Sequence, residues 1–212
     1  MYEHYFLDPD VIFLNHGSFG ACPRPVFEVY QNWQLELERQ PVAFLGRRAI
    51  GLLAEARARL GAFLGCGAEN LVYFPNPTTA LNMVARSLAL GPGDEILTTD
   101  HEYGALDRTW RFICEKSGAR YIRRPVPLPV GSQEEFIQDF WQGVTPRTRV
   151  IFISHITSPT EWLQSLEEAR FNHEMIGKGR FIVSINRDLT GENSLRQMGK
   201  LRETVCPGNL QV

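Results

Sequence analysis

From residue 70 onward, short apolar runs alternate with longer stretches of helical periodicity. The runs NLVYF, DEILTT, ARYIRRPV, TRVIFISHI and GRFIVSIN have the character of strands, and the segments between them place apolar residues at the spacing of one helix face. This alternation favours a parallel sheet with helices on both faces. VIFIS is apolar almost throughout, which is typical of a strand buried on both sides. The sequence therefore predicts an α/β fold.

The first third of the chain has a different pattern, which predicts a helical N-terminal segment. Helices are expected over 24–38 and 47–65, the second stopped by Gly65 and Gly67. Later in the chain, Ser132 and Glu135 are spaced as a capping box at the start of a helix, and Gly118 is placed to end another.

Composition excludes several classes of function. The chain has 212 residues, a formal net charge of −2 and a pI of about 6.2, which gives no sign of a nucleic-acid or membrane-surface partner. No apolar run approaches the ~20 residues of a membrane span, and the N-terminus lacks the pattern of a signal peptide. Four scattered cysteines without a CxxC pair predict free thiols in a cytoplasmic protein and no metal site.

Polar side chains follow three of the predicted strands, where an α/β sheet binds its ligands. The first group is Asn76, Thr78 and Thr79, at the start of a predicted helix. Free N–H groups and the helix dipole suit a phosphate there, and the hydroxyls add donors. The alternative is that one of these residues serves only as the N-cap.

The next two loops and the N-terminal arm supply rings and amides. His101 and Tyr103 could stack on a planar ligand, and His155 could hydrogen-bond an oxygen on it. The alternative is that each histidine is an ordinary polar residue with satisfied hydrogen bonds, which is the more common case for a lone histidine after a strand. In FLNHGSFG, Asn15, His16 and Gly17 form either a plain turn or a site for a carboxylate.

Taken together, these segments resemble the class V aminotransferase family of fold-type I pyridoxal-phosphate (PLP) enzymes. Within this family, the chain most resembles the subgroup of isopenicillin N epimerase-like proteins, which includes hercynylcysteine sulfoxide lyase-like members. The resemblance is carried by FLNHGSFGACPRPVFE, FLGRR, NPTTALNMVARSL, TTDHEYGALDRTW and VIFISHITSPT, in the family's order. It implies that residues 1–160 form the N-terminal part of a PLP-transferase large domain, and that the protein is a homodimer with an amino-acid-like substrate.

The resemblance also implies roles for particular residues. Thr78 and Thr79, with the backbone around Asn76, would hold the cofactor phosphate. His101 would stack on the pyridine ring, beside Tyr103. One position departs from the family pattern, because Pro77 stands where a residue with a free N–H is usual.

Two further roles follow from the same comparison. His155 would lie near the oxygen of the cofactor ring. Asn15, His16 and Gly17 would lie near the substrate carboxylate.

The resemblance ends near residue 160, so residues 161–212 are expected to be a divergent tail with one helix–strand unit at most. The family's aspartate for the ring nitrogen has only a displaced counterpart, Asp188. Of the three lysines, Lys116, Lys178 and Lys200, none has the context of the Schiff-base lysine, and Lys200 is a weak candidate. A truncated chain is therefore expected.

Three functions are compatible with this pattern. The first is a PLP-dependent epimerase or lyase acting on an amino acid or a cysteine-derived substrate. The second is a non-catalytic remnant that keeps a phosphate-binding loop and acts, if at all, through a partner. The third, a phosphate- or nucleotide-binding module without covalent chemistry, is disfavoured because the chain has neither GxGxxG nor GxxxxGK[ST].

Overall fold

The computed structural model describes residues 2–14, 16, 19–129, 131–154, 157 and 159, and the backbone of 180–184. Contacts divide the chain into two compact units, Met1–Val72 and Tyr73–Val212. Within the described residues, no helix is both long enough and apolar enough to cross a bilayer.

The first unit is helical. It contains 3-10 turns at Tyr2–His4 and Ala68–Asn70, helices α1 (Arg24–Arg39), α2 (Pro41–Ala43) and α3 (Ala49–Leu64), and a π-helical stretch at Phe44–Arg48 between the last two. Gly65 ends α3 in the left-handed conformation, at φ 67°, where glycine carries no Cβ penalty. The two predicted helices are therefore confirmed. None of the residues of α1 is buried.

The second unit is built on a sheet. Its elements are α4 (Pro77–Ser87), β1 (Glu95–Thr99), α5 (Gly104–Ser117), β2 (Arg120–Arg124), α6 (Gln133–Trp141), β3 (Thr148–Ser154) and β4 (Arg180–Ser184). The four strands are parallel, in the order β2-β1-β3-β4. Ser132 and Glu135 form the expected capping box on α6, and Gly118 ends α5 at φ 76°.

Helices cover both faces of this sheet. On one face Ile96, Val150 and Phe152 pack with Trp110 of α5 and Ala85 of α4. On the other face, Leu97, Ile151 and Ile153 pack with Phe140 of α6. Successive side chains of a strand point to opposite faces, so β1 and β3 contribute to both cores. The predicted parallel sheet with helices on both faces is confirmed.

The pairing of β1 with β3 contains a register shift. Glu95 is level with Thr148, whereas Ile96 is level with Val150. Arg149 is thus the extra residue of a bulge, and its Nε lies 3.7 Å from Asp94 Oδ1.

One predicted strand is wrong. Residues 71–74 of NLVYF belong to no strand, and the Val72 side chain is 72% exposed. An extended segment becomes a strand only when a neighbour satisfies its N–H and C=O groups, and none of the described strands pairs with this one. The helix expected in the tail after residue 160 lies outside the described residues.

The amino end of β1 is tied down by a buried carboxylate. Glu95 is 2% exposed. It accepts a hydrogen bond from Thr145 Oγ1 at 2.6 Å, and Arg120 and Arg147 each lie 3.2 Å from its Oε1. These contacts join the start of β1 to β2 and to the turn before β3.

We expect Glu95→Ala to lower the free energy of unfolding by about 1–3 kcal/mol, since it removes a buried acceptor from three donors. Chemical denaturation measures this. Glu134→Ala, at an exposed position of α6, is the control and should change stability by less than about 0.5 kcal/mol. Equal effects of the two substitutions would contradict the role given to Glu95.

Candidate functional site

The strand order places a topological switch between β1 and β3. From β1 the chain passes through α5 to β2 on one side, and then through α6 to β3 on the other side of β1. In open α/β sheets the connections diverge at such a point, leaving a crevice outside the carboxyl ends of the strands, where ligands bind. The candidate site is therefore at the carboxyl ends of β1 and β3, which Thr99 and Ser154 mark.

Helix α4 also begins at this edge. It runs parallel to α5, and hence antiparallel to β1, because two contacts join the helices in the same order: Asn82 with Thr109, and Arg86 with the Phe112 ring, 5.5 Å from its centroid. Thr109 Oγ1 of α5 lies 3.3 Å from Asn82 Oδ1 of α4. Asn82 is five positions after Pro77 and Thr109 is five positions after Gly104, so the two helix starts are level. The turn at Asn76 and the turn after β1 therefore lie at the same edge.

The first turn of α4 keeps donors without partners. Asn76 is the N-cap, because its Oδ1 accepts from the Thr79 N–H at 2.8 Å and its carbonyl accepts from the Ala80 N–H at 3.2 Å. Pro77 has no N–H. Within the described part of the chain, the Thr78 N–H and the hydroxyls of Thr78 and Thr79 make no hydrogen bond. This donor set, at a helix N-terminus, fits a phosphate.

The turn after β1 is tied to β2 through Asp100. The Asp100 N–H donates to the Arg124 carbonyl at 3.1 Å, and its Oδ1 accepts from the Val126 N–H at 2.8 Å. The His101 N–H donates to Thr99 Oγ1 at 3.3 Å. His101 keeps about 10% of its side chain exposed, whereas Tyr103, the residue before α5, is 43% exposed.

Glu102 is the residue of this turn that sequence reasoning missed. It is 5% exposed. Its Oε1 accepts from Thr99 Oγ1 at 2.9 Å and from the Ser154 N–H at 3.1 Å, and its Oε2 lies 2.5 Å from Ser154 Oγ. Burial raises the pKa of Glu102, and the hydrogen bonds from Ser154 and Thr99 offset part of that rise. The available signal was a hydroxyl residue at the end of each of two neighbouring strands.

The remaining predicted site residues are placed less fully. Asn15, Gly17 and His155 lie outside the described residues, as do Lys178, Asp188 and Lys200. His16 belongs to the first unit, where its ring centroid lies 4.7 Å from that of Phe13 and 5.4 Å from that of Tyr5. Its predicted contact with a substrate stays a prediction.

Lys116 is placed away from the candidate site. It lies in the last turn of α5, and α5 begins at the carboxyl edge of the sheet. Lys116 is therefore near the amino edge. Cys22, Cys66 and Cys114 are free thiols, and burial raises the pKa of Cys114 to about 11. Among the described residues, no group of three or more side chains could hold a metal ion.

Comparison with known proteins identifies the family. A sequence model of the aminotransferase class-V family matches residues 22–174. The chain belongs to this family. Its members are PLP-dependent enzymes. The class V aminotransferase assignment drawn from the sequence is thereby confirmed.

Individual relatives agree with this assignment. The isopenicillin N epimerase of Amycolatopsis lactamdurans is 39% identical over 162 residues, which are 74% of this chain and 40% of that protein. A probable chloroplastic L-cysteine desulfhydrase of Arabidopsis thaliana is 27% identical over 165 residues, covering 71% and 35%. The chain thus spans about two-fifths of the length of these curated relatives.

A solved structure shares the fold. A mutant of C-DES with glycine covalently linked to its PLP cofactor superposes with a TM-score of 0.74 at 21% identity. The match covers 90% of this chain and 50% of that one. The class V chain described here therefore has the fold of part of a PLP-transferase large domain, as predicted.

The raised pKa of Glu102 predicts a pH dependence of stability. Between pH 4.5, the ordinary pKa of Glu102, and its higher pKa in the folded state, the folded protein binds a proton that the unfolded chain has lost. The contribution of Glu102 to the free energy of unfolding is therefore fully present below pH 4.5. This contribution is lost as the pH rises through the folded value. Glu102→Gln, which cannot ionise, should lack this loss.

Thermal unfolding of the wild type and of Glu102→Gln between pH 4 and pH 8 measures the effect. The stability of the wild type relative to the variant should fall as the pH rises, and the difference cancels the titration of other groups. A constant difference over this range would mean that Glu102 titrates alike in both states.

Proposed function

We propose that this chain is the cofactor-binding part of a class V PLP enzyme that acts on an amino acid or a cysteine-derived substrate, by epimerisation or lyase chemistry. The observation that carries the proposal is the first turn of α4. It holds three donors without partners, Thr78 N–H and two hydroxyls, at the edge of the sheet where the turn of His101 and Tyr103 also lies. PLP carries a phosphate and a planar pyridine ring in one molecule, so a single ligand would occupy both positions.

The residues would divide the work of binding between them. The Thr78 N–H and the hydroxyls of Thr78 and Thr79 would hold the phosphate, helped by the positive end of the α4 dipole. The rings of His101 and Tyr103 would hold and orient the pyridine ring. When bound, PLP withdraws electrons from the substrate bond that breaks. His155, with Asn15, His16 and Gly17 for the substrate, completes the proposed set.

The names of the relatives support both reaction types. One is an isopenicillin N epimerase and another a probable L-cysteine desulfhydrase, so the proposed substrate is a small molecule with an amino-acid group. A homodimer is proposed on the exposed apolar side chains of α1, which include Val29, Tyr30 and Leu35. A cytoplasmic location, without nucleic-acid or membrane partners, stays a prediction.

A second candidate function is cofactor binding without catalysis. It is favoured by the placement of Lys116 near the amino edge of the sheet, away from the candidate site. Lys178 and Lys200 are the remaining lysines of the sequence, and neither has the family's sequence context. A protein of this kind would hold PLP through its phosphate and ring alone.

Thr78→Ala combined with Thr79→Ala tests the phosphate site. We expect the affinity for PLP to fall about 10- to 100-fold, as the loss of one or two hydrogen bonds to a charged group predicts. The affinity for pyridoxal, which has no phosphate, should be nearly unchanged. Fluorescence titration measures both.

The control is Ser87→Ala at the other end of α4, where the hydroxyl donates to the Val84 carbonyl. It should leave both affinities unchanged. Equal losses of PLP and pyridoxal in the double variant would mean that the threonines only support the helix.

Reduction with borohydride in the presence of PLP separates the two candidate functions. If the chain binds PLP without covalent attachment, mass spectrometry should find no lysine labelled above the level of Lys116, which serves as the internal background. A specific label on Lys200 or Lys178 would contradict non-covalent binding and would favour the first candidate function, a PLP-dependent enzyme.

A further inference from the structure

We propose that Glu102 is a positioning residue, whose carboxyl group joins the end of β1 to the end of β3 across the switch point and thereby fixes the turn that carries His101 and Tyr103. The proposal rests on the proposed function in one respect, namely that those two rings contact a ligand. Glu102 itself is not assigned a contact with substrate or cofactor.

The first argument is the chain of hydrogen bonds that begins at β3. Ser154, the last residue of β3, donates its N–H to Glu102 Oε1 at 3.1 Å, and Thr99, the last residue of β1, donates its hydroxyl to the same oxygen at 2.9 Å. The Thr99 hydroxyl in turn accepts from the His101 N–H. A single carboxyl group therefore connects Ser154 to the backbone of His101, although 52 positions separate Ser154 from Glu102.

The second argument is that the same turn is held from its other side. Asp100 contacts the Arg124 carbonyl and the Val126 N–H, at the end of β2. With Asp100 tied to β2 and Glu102 tied to β3, the turn is anchored to both neighbours of β1. His101 lies between these two anchors, and Tyr103 directly follows the second one.

The third argument is energetic. A buried carboxyl group loses its hydration, and the hydrogen bonds recover only part of the loss, as the raised pKa of Glu102 shows. An apolar side chain would fill the space without that penalty, but it could not accept from donors on two strands at once. A carboxyl group of this length accepts from both strands through Oε1, with Oε2 beside the Ser154 hydroxyl. A glutamine of the same length keeps an oxygen for the contact with both strands. Within the described part of the chain, the titratable groups that interact with it include Asp107 on α5 and Tyr121 on β2.

The same strand offers a matched control. Glu95 is the first residue of β1, whereas Glu102 comes shortly after the last one. Both glutamates are buried, and each contacts a threonine hydroxyl. Glu95 lies at the amino edge, away from the candidate site. Shortening either side chain by one methylene, in Glu95→Asp or Glu102→Asp, should weaken its hydrogen bonds. A purely structural role would give the two variants the same consequences.

The test uses the full chain, at a temperature where all variants are folded, with pyridoxal and inorganic phosphate as separate probes. Glu102→Asp should lower the affinity for pyridoxal about 10-fold or more, because a displacement near 1 Å misplaces the rings, and should change the affinity for phosphate less than 2-fold. Glu95→Asp should change neither. Glu102→Gln keeps the length of the side chain and should restore pyridoxal binding to within about 3-fold.

Equal effects of Glu95→Asp and Glu102→Asp on pyridoxal would overturn the proposal, as would a parallel loss of phosphate binding. Amide hydrogen exchange of residues 99–106 gives a readout that needs no ligand, and it should quicken in Glu102→Asp alone. If the wild type binds neither probe, the proposed function fails. Quickened exchange would then still support the fixing of the turn, and unchanged exchange would overturn it.

Discussion

The parallel pairing of β1 with β3 is the contact on which the rest of the described sheet depends. All five residues of β1 are buried. Among the described residues, β1 and β3 supply the fully buried strand residues of both cores, and Tyr121 and Ile122 of β2 pack against them. Because β2 and β3 flank β1 on opposite sides, the same pairing also creates the switch point. The structural core and the candidate site therefore both depend on which strands lie next to β1. Residues that stabilise this pairing also shape the crevice.

Much of this arrangement could be predicted from the sequence because its signals are local. The apolar run VIFIS, the capping box of Ser132 and Glu135, and the C-cap at Gly118 each depend on residues within a few positions of one another. Their outcome does not require knowledge of the distant chain. The succession of helices and strands along the chain, including β1 and β3, follows from the same local rules.

What could not be predicted depends on distant partners. NLVYF has the composition of a strand, but a strand exists only with a neighbour, and composition says nothing about the neighbour. Asn76 could be ranked as a cap or as a ligand only after its bond to the Thr79 N–H was seen. Glu102 follows a histidine in a polar turn, where a glutamate is normally exposed. Its burial depends on Ser154, which is far away in the sequence.

The bulge at Arg149 has a consequence at the opposite end of β3. The shifted register pairs Leu97 with Ile151. Continued at the same spacing, it places Ser154 level with Asp100 instead of His101, a difference of one residue or about 3.3 Å along the strand. Since neighbouring positions face opposite ways, the added residue also turns the Ser154 side chain to the face covered by α4 and α5. A single extra residue near the amino end of β3 thus determines which side chains face each side of the sheet at its carboxyl end. A variant of this chain without the added residue would present a different position of β3 to the Glu102 carboxyl group.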